Sequence, residues 1–319
     1  MSTEIALVVG ANGQDGAYLS RYLIVNGYKV IGTSRDASQC NKENLIKLNI
    51  DNDIELISLS PNDYRNVIDV ITKVSPSHIY NLSGMTSVGL SYDLPFECIN
   101  SILNATLNFL EALRFTGCKA RYFNAASSEC FGNIKNGFAN ENTIFSPKSP
   151  YGVSKSSAFW LVSSYRESYG IFCCSGILGN HESPLRAKRF VTQKIISNAK
   201  LIYEGKLNKL VLGNIDIVRD WGWADEYVKA MHMILCADKP KDYIISTGKS
   251  YTLSDFVKKT FDFLDLEVEK YLQIDETLIR PSDIKRSSLS SERIYNELGW
   301  KAEFDLKKII KFMIENKLY

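Results

Sequence analysis

The chain has 319 residues, 45% of them hydrophobic, and a formal net charge of +2 at pH 7. This length is enough for a sizeable core and two lobes, and the scattered, balanced charges argue against nucleic acid or an acidic membrane surface as the main partner. The seven cysteines show neither a CxxC pair nor a metal-ligand spacing, which predicts reduced cysteines in a cytoplasmic protein and no metal site. The sequence indicates neither export nor membrane spanning.

Short apolar runs alternate with amphipathic segments through the first half of the chain. Six strands are predicted there, over residues 5–9, 29–33, 54–59, 78–82, 120–126 and 172–178. Four helices are predicted between them, over residues 17–26, 64–73, 104–115 and 151–169. This alternation predicts an α/β fold with a doubly wound parallel sheet of the Rossmann type.

The pattern is looser after residue 180. Short strands are predicted over residues 210–212 and 243–246, and helices over 224–236, 254–264 and 306–316, the last with Asp305 at its N-cap. We expect a Rossmann lobe of residues 1–179 and about 214–240, and a smaller C-terminal α/β substrate lobe of residues 180–213 and about 241–319. The ligands are expected in the crevice between these lobes.

A glycine-rich loop follows the first predicted strand and precedes the first helix. Gly10 permits a tight turn, Gly13 lets the backbone approach a pyrophosphate, and the helix N-terminus offers N–H groups to the anion. A glycine pattern alone is a weak signal, but this position between strand and helix predicts a dinucleotide site.

The residues after the second strand bear on the choice of dinucleotide. An acidic residue there favours NAD through the ribose 2′-hydroxyl, whereas an arginine suits the 2′-phosphate of NADP. Arg35 therefore favours NADP. Asp36 would repel that phosphate if it pointed inward, so NAD remains an alternative.

Tyr151 and Lys155 are four residues apart on a predicted helix, which places both side chains on one face. An ammonium group beside a phenol lowers the pKa of the phenol, so Tyr151 is expected to be a usable base near neutral pH. Ser127, at the end of the fifth strand, can orient a substrate and share its proton with Tyr151. The three residues together predict oxidation of a sugar hydroxyl.

Glu129 decides between two reactions. Oxidation at one carbon needs only the tyrosine, but elimination of water across the next two carbons needs a second group to remove a carbon-bound proton. A carboxylate two residues beyond Ser127 is placed for that task. The alternative is a glutamate that only hydrogen-bonds ligand or loop backbone.

Several longer motifs occur along the chain: Gly-Ala-Asn-Gly-Gln-Asp-Gly-Ala-Tyr-Leu from Gly10, Ser-Ser-Glu from Ser127, Ser-Pro-Tyr-Gly from Ser149, Gly-Ile-Leu-Gly-Asn-His-Glu-Ser-Pro from Gly176, and Arg-Asp-Trp-Gly from Arg219. These motifs resemble those of the GDP-mannose 4,6-dehydratase family of extended short-chain dehydrogenase/reductases. The resemblance covers essentially the whole chain, to Arg280-Pro281-Ser282-Asp283 and Leu298-Gly299-Trp300. The segment from Asn180 to Pro184 is its most specific part.

The resemblance implies a tightly held NADP(H) that is reduced and reoxidised within one turnover. Hydride leaves C4 of the mannose while Tyr151 takes the hydroxyl proton, Glu129 removes the C5 proton, and water leaves from C6. The hydride then returns to C6, which gives a 4-keto-6-deoxy sugar. Homodimers or homotetramers are implied as well, with a GDP-linked hexose as the substrate.

The resemblance transfers roles only to matching residues. The catalytic set is Ser127, Glu129, Tyr151 and Lys155. The set that binds the cofactor is Gly10, Asn12, Gly13, Gln14, Asp15, Gly16, Arg35, Leu82, Tyr151 and Lys155. The set that binds the substrate is Ser87, Asn180, Glu182, Lys194, Arg219, Arg280 and Asp283. His181 is interpreted as a structural side chain.

Within the substrate set, each side chain suits its implied contact. Asn180, Arg219 and Arg280 fall at positions that hold the nucleotide diphosphate, and guanidinium groups bind phosphate bidentately. Glu182 corresponds to a hexose contact and Asp283 to a contact with the GDP ribose. For Arg219 considered alone, a surface salt bridge is an equal alternative.

The sequence departs from the family pattern at a few positions. Ser127 replaces a threonine, Arg35-Asp36 replaces a double arginine, Met85 stands where glutamine is usual, and Leu185-Arg186 replaces paired arginines. The third strand ends in Ser58-Leu59, where an acidic residue often meets the adenine. Met85 and Leu185 leave the sugar open between mannose and a longer relative such as mannoheptose.

Two other functions compete with a dehydratase. A reductase or epimerase for a GDP-linked keto sugar can also carry Ser-Ser-Glu, and a net reductase needs added NADPH. A binding protein that senses the dinucleotide would typically lose Tyr151 or Lys155, and this chain keeps both.

Overall fold

The computed structural model describes residues 3–279 and 282–319. Thirteen strands lie in those ranges: β1 (Ile5–Val9), β2 (Lys29–Ser34), β3 (Glu55–Ser58), β4 (His78–Asn81), β5 (Arg121–Ser127), β6 (Cys173–Leu178), β7 (Asn180–Glu182), β8 (Leu210–Leu212), β9 (Val218–Arg219), β10 (Trp221–Trp223), β11 (Tyr243–Ile245), β12 (Tyr251–Thr252) and β13 (Leu272–Ile274).

The described residues also form thirteen α-helices. They are α1 (Gln14–Val25), α2 (Glu43–Lys47), α3 (Tyr64–Val74), α4 (Val88–Asp93), α5 (Pro95–Ile99), α6 (Ala105–Thr116), α7 (Pro150–Tyr169), α8 (Val191–Tyr203), α9 (Ala224–Cys236), α10 (Leu253–Phe263), α11 (Val268–Tyr271), α12 (Glu292–Leu298) and α13 (Leu306–Ile314). A π-helical turn spans Asn100–Asn104, and 3₁₀ turns span Ser128–Cys130 and Glu276–Leu278.

Seven of the described strands form one parallel sheet in the order β3-β2-β1-β4-β5-β6-β11. β1 pairs with β2 on one side and with β4 on the other, so the strand order reverses at β1. Ligands of such sheets bind outside the carboxyl ends of the strands, at the point where the order reverses. The predicted α/β fold of the Rossmann type is confirmed.

Both faces of this sheet are buried by helices. Val8 of β1 packs in a core with α1 and α9, whereas its neighbour Leu7 packs in a second core with α3 and α6. Burial on both faces explains why the predicted strands read as continuous apolar runs rather than as alternating ones. The sheet is therefore a rigid support for the loops at its carboxyl edge.

A separate core lies among α8, α10 and α13. Ile195, Phe256 and Ile309 belong to it, and Trp221 and Trp223 of β10 pack against them. β10 in turn pairs in parallel with β7, which follows β6 along the chain. This pairing connects the second core to the carboxyl edge of the main sheet.

Of the differences between the structure and the predicted elements, three bear on the lobes and the site. α1 begins at Gln14 rather than at 17, because Gly13 is its N-cap and the glycine loop turns directly into the helix. The strand Tyr243–Ile245, assigned above to the substrate lobe, pairs with β6 and is an edge of the main sheet. α8 is not predicted, although buried Ile195, Ala199 and Ile202 recur at helical spacing.

Other predicted features agree with the structure. Asp305 caps α13, where its carboxylate accepts a hydrogen bond of 2.8 Å from the backbone N–H of Lys308. In residues 3–279 and 282–319, no helix combines the length and the apolar character needed to cross a bilayer.

Candidate active site

The loop between β1 and α1 has the shape of an anion cradle. Gly10 has φ +85°, and the N–H of Gly13 donates to its carbonyl over 3.1 Å. A Cβ on Gly16 would lie 2.2 Å from the Gly10 carbonyl oxygen, so only glycine allows this close approach of helix and loop. Because Gly13 has no side chain to cap α1, the first N–H groups of the helix have no side-chain acceptor at the cap and are available to a bound anion.

Asp15 and Gln14 tie the glycine loop to β7. The Asp15 carboxylate lies 2.9 Å from Nε2 of His181, and the Gln14 amide donates to Asp15 and to the carbonyl of His181. Burial alone would raise the pKa of Asp15, but the His181 ring and the Gln14 hydrogen bond lower it to about 2. Nδ1 of His181 lies 2.8 Å from the carbonyl oxygen of Gly179, so the ring bridges two loops.

The loop after β2 carries Arg35 and Asp36. Arg35 is exposed. The Asp36 carboxylate accepts hydrogen bonds from the hydroxyl and backbone N–H of Ser38 and from the N–H of Gln39, which lower its pKa. Asp36 therefore caps its own turn. Asn12 connects the glycine loop to α2, which follows the Arg35 loop, since its carbonyl accepts from the Asn44 amide over 3.0 Å.

Ser127 and Tyr151 lie at the carboxyl edge of the sheet. Ser127 ends β5, and its hydroxyl accepts a hydrogen bond of 3.2 Å from the N–H of Glu129. Tyr151 lies in the first turn of α7, which starts at Pro150 and is capped by the hydroxyl of Ser149. Both Ser127 and Tyr151 are about nine-tenths buried, and both line one cleft.

Lys155 does not act on Tyr151 as the sequence predicts. Its ammonium donates to the carbonyl of Ala125 over 2.7 Å and lies 5.8 Å from the centre of the Tyr151 ring. Burial lowers the pKa of Lys155 to about 8 and raises that of Tyr151, while the Ser127 hydrogen bond and the charge of Arg186 oppose the rise. The predicted lowering of the phenol pKa by Lys155 is therefore wrong for this geometry, because burial exceeds the effect of the neighbours.

Glu129 lies in the 3₁₀ turn that follows Ser127 and lines the same cleft. Its negative charge raises the pKa of Tyr151, which places the two groups within electrostatic reach of each other. Leu82 and Ser87 line the neighbouring wall, after β4. Ser87 also caps α4, since its hydroxyl accepts from the N–H of Leu90 over 3.3 Å.

Charged side chains are buried on the other side of the cleft. Glu182 of β7 is 1% exposed and accepts a hydrogen bond of 2.7 Å from the hydroxyl of Thr192. Arg219 of β9 is also buried, and its guanidinium donates to the carbonyl of Ile284 over 2.7 Å and faces Asp283 over 3.6 Å. Asn180 pairs with the strand that follows Arg219, so these residues share one wall.

A family model described as GDP-mannose 4,6 dehydratase matches residues 7–313. The chain belongs to this family. It is 36% identical to GDP-mannose 4,6 dehydratase 2 of Arabidopsis thaliana over 99% of this chain and 87% of that protein. It is 33% identical to a GDP-mannose 4,6-dehydratase of Vibrio cholerae over 100% of this chain and 94% of that protein.

Solved structures share the fold of this family member at lower sequence identity. A UDP-glucose 4-epimerase of Thermus thermophilus in complex with NAD matches with a TM-score of 0.84 and 22% identity, over 98% of both chains. The protein RMD of Pseudomonas aeruginosa, complexed with NADPH, matches with a TM-score of 0.80 and 20% identity, over 98% of this chain and 97% of that chain. Similarity at this level establishes the fold alone.

Three predicted substrate residues lie outside the cleft wall or outside the described residues. Lys194 is on α8, where its positive charge helps to lower the pKa of Asp275. Asp283 is not among the residues that line the cleft but faces Arg219 over 3.6 Å. Arg280 lies outside the described residues.

The sequence analysis misses Arg186 and Arg189, which both line the cleft. The Arg186 guanidinium lies 3.9 Å from the centre of the Phe190 ring, and its Nε is 3.5 Å from Glu182. This Nε is buried and has no hydrogen-bond partner among the described residues. The signal available in the sequence is three cations, Arg186, Lys188 and Arg189, in the five residues after Pro184, of which only Arg186 is named above, as a departure from the family pattern.

Proposed function

We propose that the protein is a GDP-mannose 4,6-dehydratase, a hydro-lyase that converts GDP-mannose to GDP-4-keto-6-deoxymannose. Membership of the family supports this function. The position of Glu129 supports it further, because a second acid/base group lies in the same cleft wall as Ser127 and Tyr151. A simple oxidation would not need that carboxylate.

In this proposal, Tyr151 accepts the proton of the C4 hydroxyl and Ser127 hydrogen-bonds the same oxygen. Burial holds Tyr151 protonated, so formation of the phenolate depends on the Ser127 hydrogen bond and on the positive charge of Arg186. Glu129 removes the C5 proton once C4 is a ketone and passes it to the C6 hydroxyl, which leaves as water, and the proton taken from the C4 hydroxyl balances the one that C5 regains. A bound nicotinamide would supply reversible storage of the C4 hydride, which ends on C6.

The residues of the glycine loop fit a nicotinamide dinucleotide, and we propose NADP. A Cβ on Gly10, Gly13 or Gly16 would meet neighbouring backbone atoms at 3.3, 3.3 and 2.2 Å, so the three glycines let the loop turn tightly into α1, whose N-terminus suits a pyrophosphate. Arg35 supports the choice of NADP, because it is exposed while Asp36 is occupied within its own turn. The other proposed cofactor residues are Asn12, Gln14, Asp15, Leu82, Tyr151 and Lys155.

The substrate is proposed to bind along the wall of buried charges. Arg219 and Asn180 suit the diphosphate, and Glu182 and Ser87 suit the hexose. The roles of Lys194, Arg280 and Asp283 stay predictions. So do the division into two lobes, the homodimer or homotetramer, and the cytoplasmic location.

The first experiment is to incubate the purified protein with GDP-mannose, without added cofactor, and to follow the nucleotide sugar by mass spectrometry. We expect loss of one water, and Glu129→Gln should reduce the rate by about 10²- to 10⁴-fold, as for other general bases. Glu141→Gln, at a glutamate that instead accepts from the N–H of Ile244, is the control and should retain turnover.

An unchanged mass in that experiment would contradict the proposal. A product that forms only when NADPH is added to a keto-sugar substrate would identify a reductase. Turnover of GDP-mannoheptose but not of GDP-mannose would identify a dehydratase for the longer sugar.

A further inference from the structure

A polar bridge crosses the cleft between two segments that are far apart in the sequence. Nη2 of Arg189, just before α8, donates to the hydroxyl of Thr86, just before α4, over 3.1 Å. Both residues are exposed and both line the cleft. The bridge therefore joins the two sides of the cleft at its surface.

The bridge lies at the catalytic end of the cleft. Met85 and Val88, on either side of Thr86 in the sequence, pack in the same cluster as the buried Tyr151. A group that hydrogen-bonds Thr86 is therefore close to Tyr151, the proposed acceptor of the proton from the sugar hydroxyl. The proposed diphosphate residues Arg219 and Asn180 come from β9 and β7 instead.

Arg189 has the chemistry to recognise a sugar. Its guanidinium carries five N–H donors in a planar arrangement, and the bond to Thr86 uses one of them. The Phe190 ring, whose centre lies 5.2 Å from this guanidinium, restricts the side chain. A sugar presents several hydroxyl oxygens as acceptors, and planar donors that face the cleft match them.

We propose that Arg189 is a specificity-determining residue that exchanges its bond to Thr86 for hydrogen bonds to the hydroxyls of the bound sugar. This inference rests on the proposed function for the class of substrate, a GDP-linked hexose. It does not depend on turnover, because the exchange occurs on binding. Thr86 competes with the sugar for the same donor.

The test is calorimetric titration of GDP-mannose and of GDP into the protein as purified, with every variant made in the Glu129→Gln background so that turnover of GDP-mannose does not contribute to the heat. Arg189→Met should weaken GDP-mannose binding about tenfold, the loss expected for a hydrogen bond from a charged donor, and should leave GDP binding unchanged. Thr86→Val should tighten GDP-mannose binding two- to threefold, roughly the effect of a weak neutral hydrogen bond, and should have no effect in the Arg189→Met background.

Lys188→Met is the matched control, because it removes the same charge from the adjacent residue, which is not part of the cleft wall. It should leave both affinities unchanged. Arg189→Lys keeps the charge without the planar donors and should recover only part of the affinity.

Equal weakening of GDP and GDP-mannose by Arg189→Met would overturn the proposal, as would no weakening of either. A loss of affinity in Thr86→Val would also overturn it, because that would make the bridge a support for binding rather than a competitor. Absence of water loss in wild-type protein would refute the dehydratase function separately, since the affinities are measured without turnover.

Discussion

The two sides of the cleft are formed by different chemical groups. The glycine loop offers backbone N–H groups and the absence of side chains, at Gly10, Gly13 and Gly16. The opposite side offers buried charged side chains, above all Glu182 and Arg219, which are held by other parts of the chain. The glycine loop is formed by residues that are adjacent in the sequence. The wall of charged side chains, in contrast, exists only where β7, β9 and β10 come together in the fold.

This difference implies different responses to mutation. A side chain added to the glycine loop has little space, because its neighbours are backbone atoms of the loop itself and of the residues that follow β4. A side chain removed from the opposite wall leaves a buried partner without its ion pair or hydrogen bond. The first change should disturb folding and cofactor binding together, while the second should act on substrate binding.

Gly16→Ala should have the largest effect on stability. Its Cβ would lie 2.2 Å from the Gly10 carbonyl oxygen and 2.7 Å from the Ala11 Cα, so strand and helix would have to separate. We expect a loss of about 3 kcal/mol in the free energy of unfolding, together with loss of the bound dinucleotide. Urea denaturation and the nucleotide content of the purified protein measure the two effects.

Gly27→Ala is the control for this prediction. Gly27 has a positive φ of +84°, unlike Gly16, and among the described residues no heavy atom lies within 4 Å of its added Cβ. Only the strain of the left-handed conformation remains, about 1 kcal/mol, and the nucleotide should stay bound. If Gly16→Ala and Gly27→Ala lowered the free energy of unfolding equally, the close approach of helix and loop at Gly16 would not be what makes a side chain costly there.

The same difference explains what the sequence predicts. The parallel sheet follows from apolar runs that alternate with amphipathic helices, and the glycine loop is recognisable because backbone conformation dictates its residues. The link between Arg189 and Thr86 joins positions 103 residues apart, and α8, which follows Arg189, is not predicted. The behaviour of Lys155 depends on its bond to Ala125 and on burial, which only the fold determines.

Asp15 joins the two sides, and its removal tests how strongly they are coupled. Its folded-state pKa of about 2 lies below the ordinary value of 3.8, so its contribution to stability is present above pH 3.8 and is lost as the pH falls through 2. Asp15→Asn should lower the free energy of unfolding by about 2 kcal/mol at pH 7, and the difference from wild type should shrink toward pH 2.

Urea denaturation at pH 7 and at pH 3 measures this difference. Asp69→Asn, at an exposed position on α3, is the control and should change stability little at either pH. A cost for Asp15→Asn that is the same at both pH values would mean that the side chain acts through packing and not through its charge.

Arg35→Ser should have the smallest effect, because Arg35 is exposed and its proposed partner would be a solvated phosphate. We expect the ratio of NADP to NAD released by denaturing the purified protein to fall about fivefold, with stability unchanged. Arg65→Ser, at an exposed position on α3, removes the same charge away from the cleft and should leave the ratio as it is. An unchanged ratio in Arg35→Ser would mean that the backbone of the glycine loop binds the dinucleotide without distinguishing a 2′-phosphate from a 2′-hydroxyl. Binding on that side of the cleft would then depend on backbone groups alone, and binding on the other side on buried side chains.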